Sequence, residues 1–295
     1  ARLLDEQYKS FVRGGANLSP EQKERFRKIN GELSALGIKF GDNLLHDTNS
    51  YRLVVENAAD LKGLPPSVVA VGADAAKAAG LAGKWVYTLQ APSIWPFLQY
   101  ADNRELRRQI LTAYTTRNDS GDQYDNKAIV AQQAALRAER ARLLGYKSHA
   151  DFVLEENMAK TPDRVYALLN QLWEPARAMA IREAADQQAL VKASGGTFTI
   201  EAADWRYDQE QIKQQRFALD EQALRPYFKL DNVRQGAFYV ANRLYGLTVV
   251  PRPDLPTYHP EVQAFEVKEA DGSHVGIFYT DYHPRPGKRV GAWSS

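Results

Sequence analysis

The chain contains no cysteine among its 295 residues, and it has only two methionines. The lack of cysteine excludes disulfides and thiolate metal sites. No apolar run approaches the roughly 20 residues that span a bilayer, so a helical membrane anchor is not expected. The chain begins at Ala1, without a methionine or a charged-then-apolar leader. We therefore expect the natural start to lie upstream, and we expect a cytoplasmic protein, with the periplasm as the alternative.

Charge of either sign is not in excess. The chain has 38 basic and 36 acidic residues, a net charge of +2. Such a balance does not favour nucleic acid or an anionic membrane as a partner. The apolar content of 44% and the charged content of 25% are those of a globular protein. A chain of this length can bury a sizeable core in one large or two small domains.

Helical periodicity dominates residues 1–258, which we interpret as a helical region. Ser19 precedes a proline at the first helical position, and Gln22 can complete a capping box. Asp102 is placed to cap a helix over residues 103–117. Thr161 opens a second long helix, which Pro175 is expected to kink or interrupt. The sequence predicts a mainly α fold.

The periodicity of apolar residues changes from helical to strand-like only in residues 259–295. Two β-prone runs, residues 262–267 and 275–280, flank Asp271-Gly272, a typical hairpin signal. We expect a small antiparallel sheet near the C-terminal end. A two-residue turn at Asp271-Gly272 would bring His259 near His283.

Few residues offer catalytic chemistry. No two of the five histidines are three or four apart, so no helix presents a histidine pair to a metal ion. His259 and His283 either share an adventitious ion or are ordinary strand-end side chains, and the second reading is favoured. The chain has no Gly-x-Ser-x-Gly sequence and no glycine-rich phosphate loop. Acid pairs such as Asp204 with Asp208 are interpreted as solvated or salt-bridged.

A basic turn follows the second β-prone run, with the sequence Pro-Arg-Pro-Gly-Lys-Arg over residues 284–289. In one interpretation it is a rigid, solvated loop, because proline fixes φ and glycine permits a reversal. In the other it positions the next strand, and Arg285 or Lys288 anchors a carboxylate. Composition alone favours the first.

Several segments resemble the thimet-oligopeptidase and peptidyl-dipeptidase family of zinc metallopeptidases, and the peptidyl-dipeptidase branch most of all. The terminal segment, residues 276–293, is the most informative, with its Gly-Lys-Arg-x-Gly-Ala-Trp ending. Weaker similarities occur in the family's order along the chain. They lie in residues 85–89, 98–107, 143–146, 158–162, 204–207, 217–221, 225–228 and 244–246.

The resemblance implies a helical, two-lobed, zincin-type peptidase with a deep channel. It implies a zinc ion held by His-Glu-x-x-His and a later Glu, with the motif's Glu activating the attacking water. No His-Glu-x-x-His occurs in this chain. We therefore expect a fragment that ends before the zinc site, with no catalytic or metal-binding residue of its own. The fragment alone is expected to be inactive, and zinc is expected only in the parent enzyme.

The same resemblance implies a substrate-binding edge. Gly291, Ala292 and Trp293 match a strand that lines the family's cleft and pairs with the substrate backbone, so residues 259–295 are interpreted as a hairpin followed by a cleft-edge strand. With Arg285 and Lys288 they form the predicted substrate-binding set. The expected partners are short peptides and a missing C-terminal catalytic part, against which this chain would expose an apolar surface. The expected activity is release of C-terminal dipeptides, with broader oligopeptidase cleavage as a close variant. The alternative is a non-catalytic helical module that binds peptides or proteins.

Overall fold

The computed structural model describes residues 2–289 and residue 291. The chain divides into two compact units, Ala1–Glu210 and Gln211–Ser295. The sequence was divided at a different place, into a helical region (residues 1–258) and a hairpin region (residues 259–295), because the periodicity of apolar residues changes there. That division stays a prediction.

The first unit is helical, with one two-stranded antiparallel sheet. Its elements are α1 (Arg2–Arg13), α2 (Pro20–Ser50), β1 (Leu53–Val55), a 3-10 turn (Ala58–Leu61), α3 (Pro66–Ala78), β2 (Trp85–Tyr87), α4 (Ala91–Tyr100), α5 (Arg104–Thr115), α6 (Lys127–Leu143), α7 (His149–Leu154), α8 (Pro162–Ala193) and α9 (Trp205–Phe217), whose last turns enter the second unit.

The second unit combines short helices with a three-stranded sheet. Its elements are α10 (Glu221–Leu224), a 3-10 turn (Arg225–Phe228), α11 (Leu230–Tyr245), β3 (Thr248–Pro251), β4 (Gln263–Lys268) and β5 (His274–Thr280). The strand order is β3-β4-β5, with both pairs antiparallel. The prediction of a mainly α fold with a small antiparallel sheet near the C-terminal end is confirmed.

The core of the first unit surrounds the β1–β2 ribbon. Tyr87 is 1% exposed and packs on Phe97, with ring centroids 4.5 Å apart. Gly72 of α3 permits this arrangement, because a Cβ there would lie 2.8 Å from the Tyr87 ring. The remaining buried apolar side chains of this cluster are Leu53, Val55, Leu61, Leu64, Leu89, Ile94, Leu98, Ala101 and Ile110.

The predicted helix starts are mostly confirmed, because capping depends on neighbours in sequence. Ser19 Oγ accepts the Gln22 N–H, and the Gln22 side chain accepts the Ser19 N–H. Thr161 caps α8. Helix α8 continues through Pro175, so the helix is not interrupted there, and a kink at Pro175 stays a prediction. The predicted cap at Asp102 is also wrong: Asn103 caps α5.

The hairpin forms where it was predicted, but its turn is longer. The Glu269 N–H donates to the Ser273 carbonyl, and Gly272 adopts a φ of 87°. A bulge between Val267 and Lys268 absorbs the extra length. Gln263 therefore pairs with Thr280, the register that a two-residue turn would also give.

Candidate functional site

The basic turn after β5 is organised around one carboxylate. Arg285 donates from both terminal nitrogens to Asp281, at 2.8 and 2.7 Å. The Tyr258 hydroxyl donates to the same carboxylate at 3.0 Å. The bidentate geometry is that of a strong, directional ion pair. Asp281 thus joins the end of β5 to the loop before β4 and to the turn that follows.

Lys288 closes the turn from its other end. Its Nζ lies 2.8 Å from the Asp281 carboxylate. The same ammonium donates to the backbone carbonyls of Asp281 and His283, at 2.9 and 2.8 Å. These three contacts match the three protons that a lysine can donate. The path of the chain from Asp281 to Lys288 is therefore fixed by contacts within the turn itself.

The electrostatics of the turn follow from these contacts. The hydrogen bonds from Arg285, with further contributions from Lys288 and Tyr258, hold the pKa of Asp281 far below its usual range. The hydrogen bond to Asp281 also raises the pKa of Tyr258. Asp281 is consequently ionised at neutral pH.

The structure describes three of the five predicted substrate-binding residues. Arg285 and Lys288, predicted to anchor a carboxylate, do contact one, but it is the Asp281 side chain of this chain. Gly291 is exposed, with a φ of 120°. Ala292 and Trp293 lie outside the described residues. The substrate-binding role of all five stays a prediction.

A second charged cluster lies in the first unit, and it is buried. Asp204 is fully buried, and Arg107 is 2% exposed. Arg104 contacts Asp204 through Nε and Nη2 at 2.8–3.0 Å, and Arg107 Nη2 contacts it at 2.8 Å. Burial by itself would raise the pKa of Asp204, but these hydrogen bonds and one from the Glu201 N–H outweigh it and hold the pKa low.

Asp204 ties α5 to the start of α9, and aromatic rings complete the cluster. The Arg107 guanidinium lies 4.2 Å from the Tyr207 ring centroid, and it also donates to the carbonyls of Ala101 and Asp102. The Tyr207 hydroxyl donates to the Asp102 carboxylate at 2.9 Å. Burial, followed by this hydrogen bond, raises the pKa of Tyr207 to about 12. Asp102, expected to cap a helix, instead holds this tyrosine.

Asp208 lies one helical turn beyond Asp204 and has a different environment. It is 5% exposed, and its Oδ2 is buried without a hydrogen-bond partner. Burial, and then the negative charge of Asp204, raise the pKa of Asp208 to about 6. The interpretation of this acid pair as solvated or salt-bridged holds for Asp204 and fails for Asp208, because both arginines point at Asp204.

The described residues do not fit the zinc ion that the family resemblance implies. Among residues 2–289 and 291, no three or more His, Asp and Glu side chains come together as a metal-ion site. His46 stacks on Tyr124 with ring centroids 3.5 Å apart, and His259 accepts a backbone hydrogen bond from Glu261.

Comparison with known proteins gives the family. The sequence profile of peptidase family M3 matches residues 97–295, which is more than half of the chain. The chain belongs to peptidase family M3. The match includes both the Asp204 cluster and the turn after β5, so both are features of the M3 portion of the sequence.

Similar M3 peptidases extend the match to nearly the whole chain. Dipeptidyl carboxypeptidase of Salmonella typhimurium is 36% identical over 293 residues, 99% of this chain and 43% of that protein. The Escherichia coli protein of the same name is 34% identical over the same length. Oligopeptidase A of Escherichia coli is 34% identical over 296 residues, again 99% of this chain and 43% of that protein. The chain thus spans less than half the length of these relatives.

Within this M3 chain, sequence reasoning missed the residues that organise both clusters. Asp281 and Tyr258 were not singled out, although a carboxylate four residues before Arg285 is a signal that could have been used. Arg104 and Arg107 gave no such signal, because they lie about 100 residues from Asp204 in sequence.

No helix in the described part of the chain is long and apolar enough to cross a bilayer.

Proposed function

We propose that the protein containing this chain is a zinc-dependent peptidyl-dipeptidase that releases dipeptides from the C-termini of short peptides. The observation that carries the proposal is the 36% identity to a dipeptidyl carboxypeptidase over 99% of the chain. The zinc ligands would come from sequence outside these 295 residues, and this chain alone would be inactive. This chain covers only 43% of that relative, so the larger part of such a protein lies outside these residues.

The exposed apolar side chains support a further covering part of the protein. Helix α8 carries Leu172 and Trp173 at 56% and 61% exposure, and α11 carries Leu244 and Tyr245 at 66% and 72%. Isolated soluble domains rarely leave large apolar patches uncovered. Residues outside this chain would bury these faces in the whole protein.

In this proposal the turn after β5 serves to direct the chain. β5 is the last strand of its sheet in the described residues, and an edge strand keeps unpaired N–H and C=O groups. An extended peptide can add to such an edge as a strand, with residues 291–293 as the predicted binding residues. The Asp281 contacts would set the direction in which Gly291 leaves the turn.

A second candidate is a broader oligopeptidase that cleaves within peptides. The observation in its favour is that oligopeptidase A of Escherichia coli covers the chain equally, at 34% identity. Both candidates use the same metal and the same class of substrate, so only the products distinguish them.

The test is product analysis with the longest protein that contains this sequence. It would be incubated with short peptides, and the products would be identified by mass spectrometry. Stepwise loss of dipeptides from the C-terminus, abolished by a chelator and restored by zinc, is the expected result. Internal cleavage without dipeptide release would favour the oligopeptidase.

The 295-residue chain is the matched comparison. We expect it to retain no stoichiometric zinc after dialysis and to release no dipeptide, because a zinc site needs about three or four well-placed ligands. One equivalent of tightly bound zinc with metal-dependent turnover by this chain would contradict the proposed division. No hydrolysis by the whole protein would favour a non-catalytic binding module instead.

A further inference from the structure

A groove on the first unit lies between helices α2 and α6. Its volume is about 570 Å³, within the range of small-molecule sites. Its apolar lining comes from Leu33 and Phe40 of α2 and from Val130 of α6. Arg137 and Arg140 of α6 supply charge to the same groove. The combination is amphipathic, with an apolar wall and a cationic wall.

The two groove arginines have no carboxylate partner. Among the described residues, no Asp or Glu side chain forms an ion pair with Arg137 or Arg140. The one side-chain hydrogen bond of Arg140 goes to the neutral Asn30 amide oxygen, at 3.2 Å, and its Nε is buried without a partner. By contrast, Arg25 binds Glu139 of the same helix α6 through two hydrogen bonds of 2.6 Å.

The positive charge is concentrated enough to affect its neighbours. Burial, and then repulsion from Arg137, lower the pKa of Arg140. Burial and the charges of Arg140 and Arg137 lower the pKa of His149, whose Nδ1 is also buried without a partner. No negative charge contributes to either shift. Arg140 is half-buried and Arg137 is exposed. A cleft lined by one sign of charge attracts the opposite sign.

A third cation near the groove, Arg13, is already paired with carboxylates. Arg13 lies 4.2 Å from the Phe152 ring centroid, and Arg140 lies 5.4 Å from the same ring. Arg13, however, pairs with Glu155 and Glu156. The uncompensated charge therefore belongs to Arg137 and Arg140, the two residues that line the groove.

We propose that the groove between α2 and α6 is a binding site for one apolar carboxylate, whose anionic group pairs with Arg137 and Arg140 and whose apolar body packs on Leu33, Phe40 and Val130. The fork of donors on arginine suits a planar carboxylate. The apolar wall adds affinity in proportion to the area that it covers. The same chemistry occurs in a medium-chain fatty acid and in the C-terminal residue of an apolar peptide.

The test is calorimetric titration of the full 295-residue chain with octanoate and, separately, with N-acetyl-Leu-Phe carrying a free carboxylate. Octanol and the amide of the same dipeptide are the uncharged counterparts. We expect saturable binding at one site for a carboxylate and at least tenfold weaker binding for its uncharged counterpart, about 1.4 kcal/mol. Tighter binding of octanoate identifies the fatty-acid source, and tighter binding of the peptide identifies the peptide end.

Two pairs of variants locate the site. Arg137→Gln should weaken binding about tenfold, whereas Arg142→Gln, on the same helix but outside the groove lining, should leave it unchanged. Gly37→Leu should fill the groove and abolish binding, because nothing lies within 4 Å of a Cβ built at Gly37. Gly31→Leu, equally open and on the same helix, is its control.

The proposal is overturned by any of three results. These are no saturable binding of either carboxylate to the wild-type chain, equal binding of the carboxylates and their uncharged counterparts, and equal affinity in Arg137→Gln and the wild type. Circular dichroism of each variant shows that a lost signal is not a lost fold. Because Gly37→Leu acts by filling space and Arg137→Gln by removing charge, the two variants test the groove independently.

Discussion

Asp204 in the first unit and Asp281 in the second are each bound by two cationic side chains, yet their surroundings differ. Asp204 is fully buried, and its side chain contacts Arg104 and Arg107, about 100 residues away in sequence. The Asp281 side chain is 12% exposed, and its partners Arg285 and Lys288 follow within seven residues. The same chemistry thus joins distant segments in one unit and stabilises a local turn in the other.

The difference in burial decides what each cluster contributes. A buried ion pair gains little over an apolar replacement, but removing one member leaves a buried charge uncompensated. An ion pair near the surface is screened by water and salt, and its loss is cheaper. We therefore expect Asp204 to matter for global stability and Asp281 to matter for local order.

The largest effect is expected from Asp204→Asn. This substitution leaves Arg107, 2% exposed, without its ionic partner, and we expect a loss of about 3–5 kcal/mol in the free energy of unfolding. Urea denaturation followed by circular dichroism measures it. Glu201→Gln is the control, because Glu201 pairs with Arg104 at 3.4 Å but its side chain is 53% exposed. A loss of less than about 1 kcal/mol in Asp204→Asn would show that the buried ion pair contributes no more to stability than a surface pair.

An effect of opposite sign is expected from Asp208→Asn. The pKa of Asp208 is raised to about 6 in the folded state, from an unfolded value of about 3.9. Its contribution to stability is therefore fully present below about pH 3.9 and is lost as the pH rises through about 6. Removing the charge should stabilise the protein at pH 8 by about 2–3 kcal/mol and should have little effect near pH 4.

Unfolding free energies measured from pH 4 to pH 8 test this prediction. Asp74→Asn, a substitution of an exposed aspartate in α3, is the control for replacing an aspartate at the surface of the same unit. A stability gain independent of pH, or a loss at pH 8, would show that Asp208 is not the buried, destabilising charge that its surroundings indicate.

The smallest effect on global stability is expected from Asp281→Asn. Its consequence should be local, because the turn loses its contacts with Arg285, Lys288 and Tyr258. Hydrogen exchange should speed up over residues 281–289 while the helices of the first unit are unaffected. High salt should reproduce part of this change in the wild-type chain and none of the Asp204→Asn effect.

Asp254→Asn is the control for the turn, since Asp254 pairs with Arg252 on the surface of the same unit. It should leave exchange over residues 281–289 unchanged. A global destabilisation by Asp281→Asn as large as that of Asp204→Asn would mean that the turn is as essential to its unit as the buried cluster is to the first.

Local signals in the sequence predicted local structure well. The capping box at Ser19 and the start of α8 at Thr161 are both present. Each depends on hydrogen bonds that close within a few residues, so the neighbouring sequence contains the whole interaction. The family resemblance was also confirmed, because it depends on the order of many short segments.

Local signals failed where a distant partner competed for the same side chain. Asp102 could have capped α5, but its carboxylate accepts the Tyr207 hydroxyl and Asn103 takes the cap. The pairing of β1 with β2 was not predicted either. The two strands lie about 30 residues apart in sequence, and three-residue strands carry little periodicity.

The sequence by itself determined the family, the mainly helical fold, the hairpin and most helix ends, because these depend on short-range hydrogen bonds and on the spacing of apolar residues. Only the tertiary structure decided which charges are paired. Asp204 and Asp208 look alike in sequence, yet one binds two arginines and the other buries a carboxylate oxygen without a hydrogen-bond partner. The physical reason is that the energy of a charge is set by its burial and by the groups within a few ångströms, and both depend on how distant segments pack.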